Sequence, residues 1–150
     1  MAYFPDLSPY AYGHADHPNV LHVGWLDGVH DYPKGPVAPH LLAKLKRLAK
    51  RPVELYRGLH VCELCPGDRS PDLHPEMRSN GEIRVTVRTF GDAPEVEASA
   101  KVLPARATES GAILYRQITY AAPVLIVHYI EAHGYLPPPE FLKALEAVPE

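Results

Sequence analysis

Cysteine is scarce in this sequence: the chain of 150 residues has only Cys62 and Cys65. The pair could form one disulfide in a secreted protein, whereas reduced thiols in a cytosolic setting favour a metal site. A large excess of charge of one sign is also lacking, since the formal net charge is only −3. That balance argues against bulk nucleic-acid binding and leaves a local basic patch open. The length suits one core, so we expect residues 1–150 to form a single domain.

Long hydrophobic runs are also missing. The longest, Ala121–Val127, contains a proline and is followed by His128, far short of the roughly 18–20 apolar residues that a membrane span needs. The first ten residues, MAYFPDLSPY, have neither the basic start nor the apolar centre of a secretory signal. We therefore expect a cytoplasmic protein without a membrane segment.

Motifs of the common enzyme classes are not found. The sequence has no glycine-rich phosphate loop, and neither Ser8 nor Ser70 lies in a nucleophile elbow. These absences favour a protein without catalytic activity.

Proline, by contrast, is abundant, with 17 residues alongside 10 glycines, which indicates many turns. Hydrophobic periodicity predicts an α+β fold, a small antiparallel sheet packed by two or three helices. The segment 91–111 has no clear period, and we expect a mobile loop there. The predicted strands are Val53–Val61, Gly81–Phe90, Ala112–Tyr120 and, as a further candidate, Leu21–Leu26; the predicted helices are Val37–Lys50, Ala122–His133 and Glu140–Val148.

The helix Val37–Lys50 carries the main cluster of basic residues. Pro39 suits the first helical position and Pro52 prevents continuation. The cations favour the negative end of the helix dipole, so a solvated face explains them. The same face is a candidate surface for an unknown protein partner or, alternatively, for nucleic acid. Its residues are Lys44, Lys46, Arg47, Lys50 and Arg51.

A C-x-x-C pair and a downstream H-x(4)-H pair, His128 and His133, form a candidate zinc site. On an ideal helix the two histidines would point about 140° apart, so the helix must unwind near His133. Gly134 provides a reason for such an end, and His60 is the reserve ligand. With four protein ligands the zinc would be structural, giving a zinc-finger-like knuckle plus helix. The alternatives are a disulfide, or small buried cysteines with ordinary histidines.

Five stretches of the chain carry a family resemblance. They are FPDLSPY (Phe4–Tyr10), VGWLDG (Val23–Gly28), RGLHVCELC (Arg57–Cys65), NGEIRV (Asn80–Val85) and YAAPVLIVHYIEAHGYLPP (Tyr120–Pro138). On these motifs the chain resembles an uncharacterised family of small bacterial proteins with no established activity. The resemblance implies that the cysteines and histidines, with His60 beside them, belong together as a set. It supplies no substrate.

The function that these features favour is a zinc-stabilised cytoplasmic binding or regulatory module. The competing class is a metal-dependent nuclease or other hydrolase, because cysteine knuckles occur in zinc-stabilised nucleases. Such an enzyme would need a second metal, and the chain offers one set of candidate ligands in turns near the N-terminus. This set comprises His14, Asp16, His17, His22, Asp27 and His30.

Overall fold

The structure, a computed structural model, describes residues 3–11, 17–53, 60–65, 78–79, 81–90, 93–98 and 114–149. Within these ranges the chain forms seven strands and three helices. The strands are β1 (Pro9–Tyr10), β2 (His17–His22), β3 (His60–Val61), β4 (Arg78–Ser79), β5 (Glu82–Phe90), β6 (Ala93–Ala98) and β7 (Leu114–Pro123). The helices are α1 (Pro39–Ala49), α2 (Ile126–His133) and α3 (Pro139–Glu146).

Five of the strands form one sheet in the order β1-β2-β7-β5-β6, and β3 pairs separately with β4. The long strands β5 and β7 are antiparallel neighbours at its centre. The sheet is mixed, because β2 runs parallel to β7. The predicted α+β class is thus confirmed, with one correction: the sheet is not antiparallel throughout.

Two predicted strands agree with the structure and two shift. The prediction for Gly81–Phe90 is confirmed by β5, and the strand predicted from Ala112 is β7, which continues to Pro123. Of the described residues in the predicted strand Val53–Val61, the last two form β3 and Val53 makes an isolated bridge to Glu82. Residues 54–59 lie outside the described residues.

The expected loop at 91–111 is wrong in part, because residues 93–98 form the edge strand β6, paired with β5. Residues 91–92 and 99–111 lie outside the described residues. The predicted strand Leu21–Leu26 overlaps β2 only at its first two residues. At Gly24 the backbone turns with a φ of +75°, which ends the extended segment.

The three predicted helices exist, with shifted ends. Pro39 is the first residue of α1 and Pro139 the first residue of α3, positions where proline is tolerated because the missing amide has no helical partner. The second helix starts at Ile126, later than predicted, because β7 first extends to Pro123. In the described ranges, no helix is long and apolar enough to cross a membrane.

The main hydrophobic core lies between the helices and one face of the sheet. Ile83 and Val85 of β5 point to this face and are fully buried, as the two-residue repeat of the strand requires. Leu45 of α1 and Phe141 of α3 pack into the same cluster. The helices therefore pack on the face of the sheet to which Ile83 and Val85 point.

The N-terminal arm, which we define as Tyr3–Ala11, includes the edge strand β1 and packs on the other face of the sheet through Phe4 and Tyr10. The arm is fixed to the strand region by backbone hydrogen bonds, including Leu7 N to His22 O at 2.7 Å. Its aromatic rings join Trp25, whose indole nitrogen donates to the carbonyl of Ala121 at 2.9 Å. A second, smaller core results, and Tyr10 and Val20 belong to it.

Charged groups are buried beneath the arm. The Tyr10 hydroxyl donates to the Glu82 carboxylate at 2.5 Å, and the same carboxylate accepts a hydrogen bond from Arg84 Nε at 2.8 Å. Pairing the carboxylate with a guanidinium and a phenol offsets the large cost of removing it from water.

His22 is the titratable group at the centre of this second core. Its ring is fully buried, stacks on Phe4 at 3.8 Å between ring centroids, and lies 4.8 Å from the ring of Tyr10. The backbone amide of Ala11 donates to Nε2 at 3.0 Å, which requires an unprotonated nitrogen. Burial, assisted by the positive charge of Arg84, lowers the pKa of His22 to about 4. The arm therefore packs against a neutral imidazole.

We predict that His22 makes the protein less stable as the pH falls from 6.5 to about 4. In this window the unfolded chain binds a proton that the folded protein does not bind, so the free energy of unfolding decreases, by at most about 1.4 kcal/mol per pH unit. Urea unfolding of the wild type and of His22→Phe at several pH values measures the difference. A variant whose pH dependence equals that of the wild type would contradict the assignment.

Candidate metal centre

The two cysteines lie in a short bend that follows β3. Cys62 is fully buried, and the backbone amides of Leu64 and Cys65 donate to its sulfur. The bend is also fixed from outside, because the Glu63 carboxylate accepts a hydrogen bond from the amide of Gly28 at 3.3 Å. The C-x-x-C spacing thus places both sulfurs on one side of a tight loop.

The two histidines lie on α2, His128 within it and His133 as its last residue. Gly134 follows in the left-handed conformation, with a φ of +66°, and its amide donates to the carbonyl of Tyr129. The amide of Tyr135 donates to the same carbonyl at 3.2 Å, so the last turn is wider than an α-helical turn. The two imidazole rings come within 5.0 Å of each other, at an interplanar angle of 79°. The helix ends directly after His133, at the glycine that the sequence indicated, while His133 itself is still helical.

The side chains of Cys62, Cys65, His128 and His133 converge. One ligand atom from each lies within 4.8 Å of the other three. The Cys65 sulfur is 3.1 Å from Nε2 of His128 and 3.3 Å from Nε2 of His133, and the Cys62 sulfur is 3.5 Å from the latter. Tetrahedral zinc would separate sulfur and nitrogen by about 3.6 Å. These four residues are therefore close enough to bind one metal ion.

The protonation states of the cluster bear on whether it can bind a metal. Burial raises the pKa of the Cys62 thiol to about 11, against the lowering effect of the two backbone amides. Burial also lowers the pKa of His133, which keeps its imidazole neutral. Neutral imidazoles and thiolates are the forms that bind a metal, and a divalent ion removes the cost of a buried thiolate.

Contacts behind the metal-facing atoms hold the end of α2 in place. The Tyr32 hydroxyl donates to the carbonyl of His133 at 3.0 Å, and the amide of Gly35 donates to that of Gly134. Tyr135 is fully buried and its hydroxyl donates to the Asp6 carboxylate of the arm, at 2.9 Å. The segment before α1 and the N-terminal arm thus position one of the candidate ligands.

The other candidate ligands do not join this cluster in the described part of the chain. The backbone of His60 lies in β3, but its side chain is outside the described residues, as are residues 14 and 16 and the side chain of His17. His22 is enclosed by aromatic rings. His30 pairs instead with Asp27, whose two oxygens lie 2.9 and 3.0 Å from its Nδ1. Among the residues described, no second group of three or more metal-binding side chains occurs.

The basic cluster of α1 is only partly available to a partner. Lys44 is buried, which corrects our expectation of a solvated side chain: its ammonium donates to the carbonyls of Glu146 and Val148, at 2.9 and 2.7 Å. It thereby caps the C-terminal end of α3. Arg47 donates to the carbonyl of Pro149, at 2.7 Å.

The remaining basic residues of α1 are exposed. Lys46 forms an ion pair with Glu131 at 2.9 Å, and both side chains are about half exposed. Lys50 and Arg51 are exposed at the end of the helix. Four of the five basic residues predicted for a partner surface, Lys46, Arg47, Lys50 and Arg51, thus have exposed side chains.

Comparison with protein families identifies the family of the chain. A family model described as Domain of unknown function (DUF7919) matches residues 2–146, so the chain belongs to that family. This confirms the resemblance to an uncharacterised family, and the matched range includes all four converging residues. No curated protein and no solved structure matches the chain.

We predict that Lys44→Met lowers the free energy of unfolding by about 2 kcal/mol, because carbonyls at the end of α3 lose a charged donor. Lys50→Met, at the exposed residue that directly follows α1, is the matched control and should change the free energy of unfolding by less than about 0.5 kcal/mol. Urea unfolding of both variants measures the two effects. Equal effects would mean that the contacts of Lys44 contribute nothing.

Proposed function

We propose that this member of the family is a zinc-stabilised binding or regulatory module of the cytoplasm, without catalytic activity. The observation that carries the proposal is the convergence of two sulfurs and two imidazole nitrogens within 4.8 Å, from elements far apart in the sequence. The zinc would join the bend after β3 to the end of α2. Its role would be to stabilise the fold on which a partner surface is built.

The donor set favours zinc over other metals. Two cysteines with two histidines are a common ligand set of structural zinc, whereas iron–sulfur clusters use mainly cysteine, and calcium and magnesium use oxygen ligands. Four protein ligands leave no open position for a water or a substrate, which is the pattern of a structural site. The sulfur–nitrogen distances, 3.1 to 3.5 Å, also lie near those of a tetrahedral zinc site.

The proposed location follows from the same chemistry. Both cysteines are free thiols, and thiols stay reduced in the cytoplasm.

For the partner we propose a protein, with nucleic acid as the alternative, at the exposed end of α1. The net charge of −3 and the intramolecular contacts of Lys44 and Arg47 weaken the nucleic-acid alternative.

A metal-dependent nuclease or other hydrolase is the second candidate, and one observation favours it. Asp27 and His30 form a carboxylate–imidazole pair, and His30 is about half exposed to solvent. In such a pair the carboxylate fixes the imidazole so that its other nitrogen can bind a metal or accept a proton. The amide of Gly28, within the same turn, bonds to Glu63 beside the candidate metal centre.

We predict one tightly bound zinc ion per chain in protein purified without added chelator. Elemental analysis measures it, and nuclease and esterase assays with added Mg²⁺, Mn²⁺ or Zn²⁺ test the second candidate in the same preparation. One zinc without activity supports the module. A second, exchangeable metal that brings activity, and that His30→Ala removes, would favour the hydrolase.

We also predict that the stability of the protein depends on free zinc. Above the dissociation constant, each tenfold increase in free zinc should raise the free energy of unfolding by about 1.4 kcal/mol, since only the folded state assembles the four ligands. Unfolding in zinc buffers of increasing free concentration measures the slope.

Substitutions test whether this dependence of stability on free zinc comes from the proposed ligands. Cys62→Ser combined with Cys65→Ser should abolish both the zinc content and the slope. His40→Ala, on an exposed imidazole of α1, should keep both. A double variant that retains zinc and wild-type stability would disprove the proposed centre.

A further inference from the structure

The four residues of the candidate metal centre differ in their exposure to solvent. Cys62 is fully buried, whereas Cys65, His128 and His133 are each partly exposed. Of the two cysteines, Cys65 is therefore the more exposed residue and Cys62 the one shielded from solvent. This difference gives the two thiols different access to reagents.

The two sulfurs are also close enough to react with each other. They belong to a cluster whose ligand atoms lie within 4.8 Å, and only two residues separate them in the sequence. A disulfide needs an S–S distance of about 2.05 Å, so the bend after β3 has to close by less than about 3 Å. Binding to a metal keeps both sulfurs as thiolates, the form that attacks an oxidant.

We propose that the metal centre is a redox-sensitive site: a peroxide oxidises Cys65 first, Cys62 then forms a disulfide with it, and the zinc is released. The inference rests on the proposed function in so far as the bound metal is zinc. The inference goes beyond the proposed function, because the release of zinc would report oxidation in addition to the structural role of the bound ion.

The proposed chemistry balances with hydrogen peroxide as the oxidant. The Cys65 thiolate attacks one peroxide oxygen, the O–O bond breaks, and hydroxide leaves, giving a sulfenic acid. The Cys62 thiolate attacks the Cys65 sulfur, a second hydroxide leaves, and the S–S bond forms. Two thiolates transfer two electrons to the peroxide, and two protons from solvent convert the hydroxides to water. The zinc leaves because a disulfide no longer offers anionic sulfur ligands.

The structure also predicts which element is freed. The end of α2 keeps its bonds to Tyr32 and to Asp6, so it stays anchored when the metal leaves. The bend Cys62–Cys65, by contrast, loses its bridge to the helix and keeps the contact of Glu63 with Gly28. Oxidation should therefore loosen the bend and leave most of α2 intact.

Hydrogen peroxide titration of the zinc-loaded protein tests the proposal. A chromogenic zinc chelator should detect one zinc released per peroxide consumed, and mass spectrometry should show a Cys62–Cys65 disulfide within one chain. Dimedone added early should label Cys65 and not Cys62, a measurement that uses the wild-type protein. Hydrogen–deuterium exchange should rise in residues 60–65 more than in residues 126–133, and a reductant with added zinc should reverse the changes.

The outcomes separate this proposal from the proposed function. Protein that never binds zinc would refute the structural zinc centre before any peroxide is added. Protein that binds one zinc and keeps it in excess peroxide, with both thiols intact, would refute only the redox proposal. Early dimedone on Cys62, sulfinic acid without a disulfide, or a disulfide between chains would refute it as well. Cys62→Ser, if it binds zinc, should stop at the sulfenic acid, and Cys65→Ser should react at least tenfold more slowly.

Discussion

The wide last turn of α2 connects the fold to the candidate metal centre. Because Gly134 adopts a left-handed conformation, the amides of Gly134 and Tyr135 both reach the carbonyl of Tyr129. Five residues of a helix separate the directions of His128 and His133 by about 140°, yet their rings approach to 5.0 Å at this end of α2. A side chain at residue 134 would meet no neighbouring atom, yet the positive φ would strain it. The backbone conformation, and not a lack of space, makes glycine the suitable residue.

The sheet separates two buried regions of different character. On the helix side the core is apolar, with Ile83, Val85, Leu45 and Phe141 among its residues. On the arm side, aromatic rings surround His22, and Glu82 and Arg84 are buried as a pair. The link between them is the bond from Tyr135 to Asp6, since it joins the end of α2 to the arm. Burial raises the pKa of Asp6, while its hydrogen bonds from Gly24 and Tyr135 act in the opposite direction.

Local patterns in the sequence predicted much of the fold and non-local contacts account for the rest. The alternation in β5 and the leucine spacing in α1 predict their elements because each element buries one face. The C-x-x-C and H-x(4)-H spacings predicted the residues that the structure brings together. By contrast, β6 begins Ala93-Pro94-Glu95, which has little strand propensity, and its pairing with β5 overrides that preference. The burial of Lys44 could not be predicted, because the carbonyls that it contacts lie at the C-terminal end of α3, about a hundred residues away in the sequence.

The order of the candidate ligands along the chain has a consequence during synthesis. Cys65 and His128 are 63 positions apart, and the parallel pairing of β2 with β7 also has to wait until β7 is made. At roughly 5–20 residues per second, a ribosome needs about 3 to 13 s to make that stretch. The nascent chain therefore displays two thiols for seconds before any imidazole of α2 exists. The segment that holds both cysteines is thus available to other binding partners before the helix that would complete the site has been made.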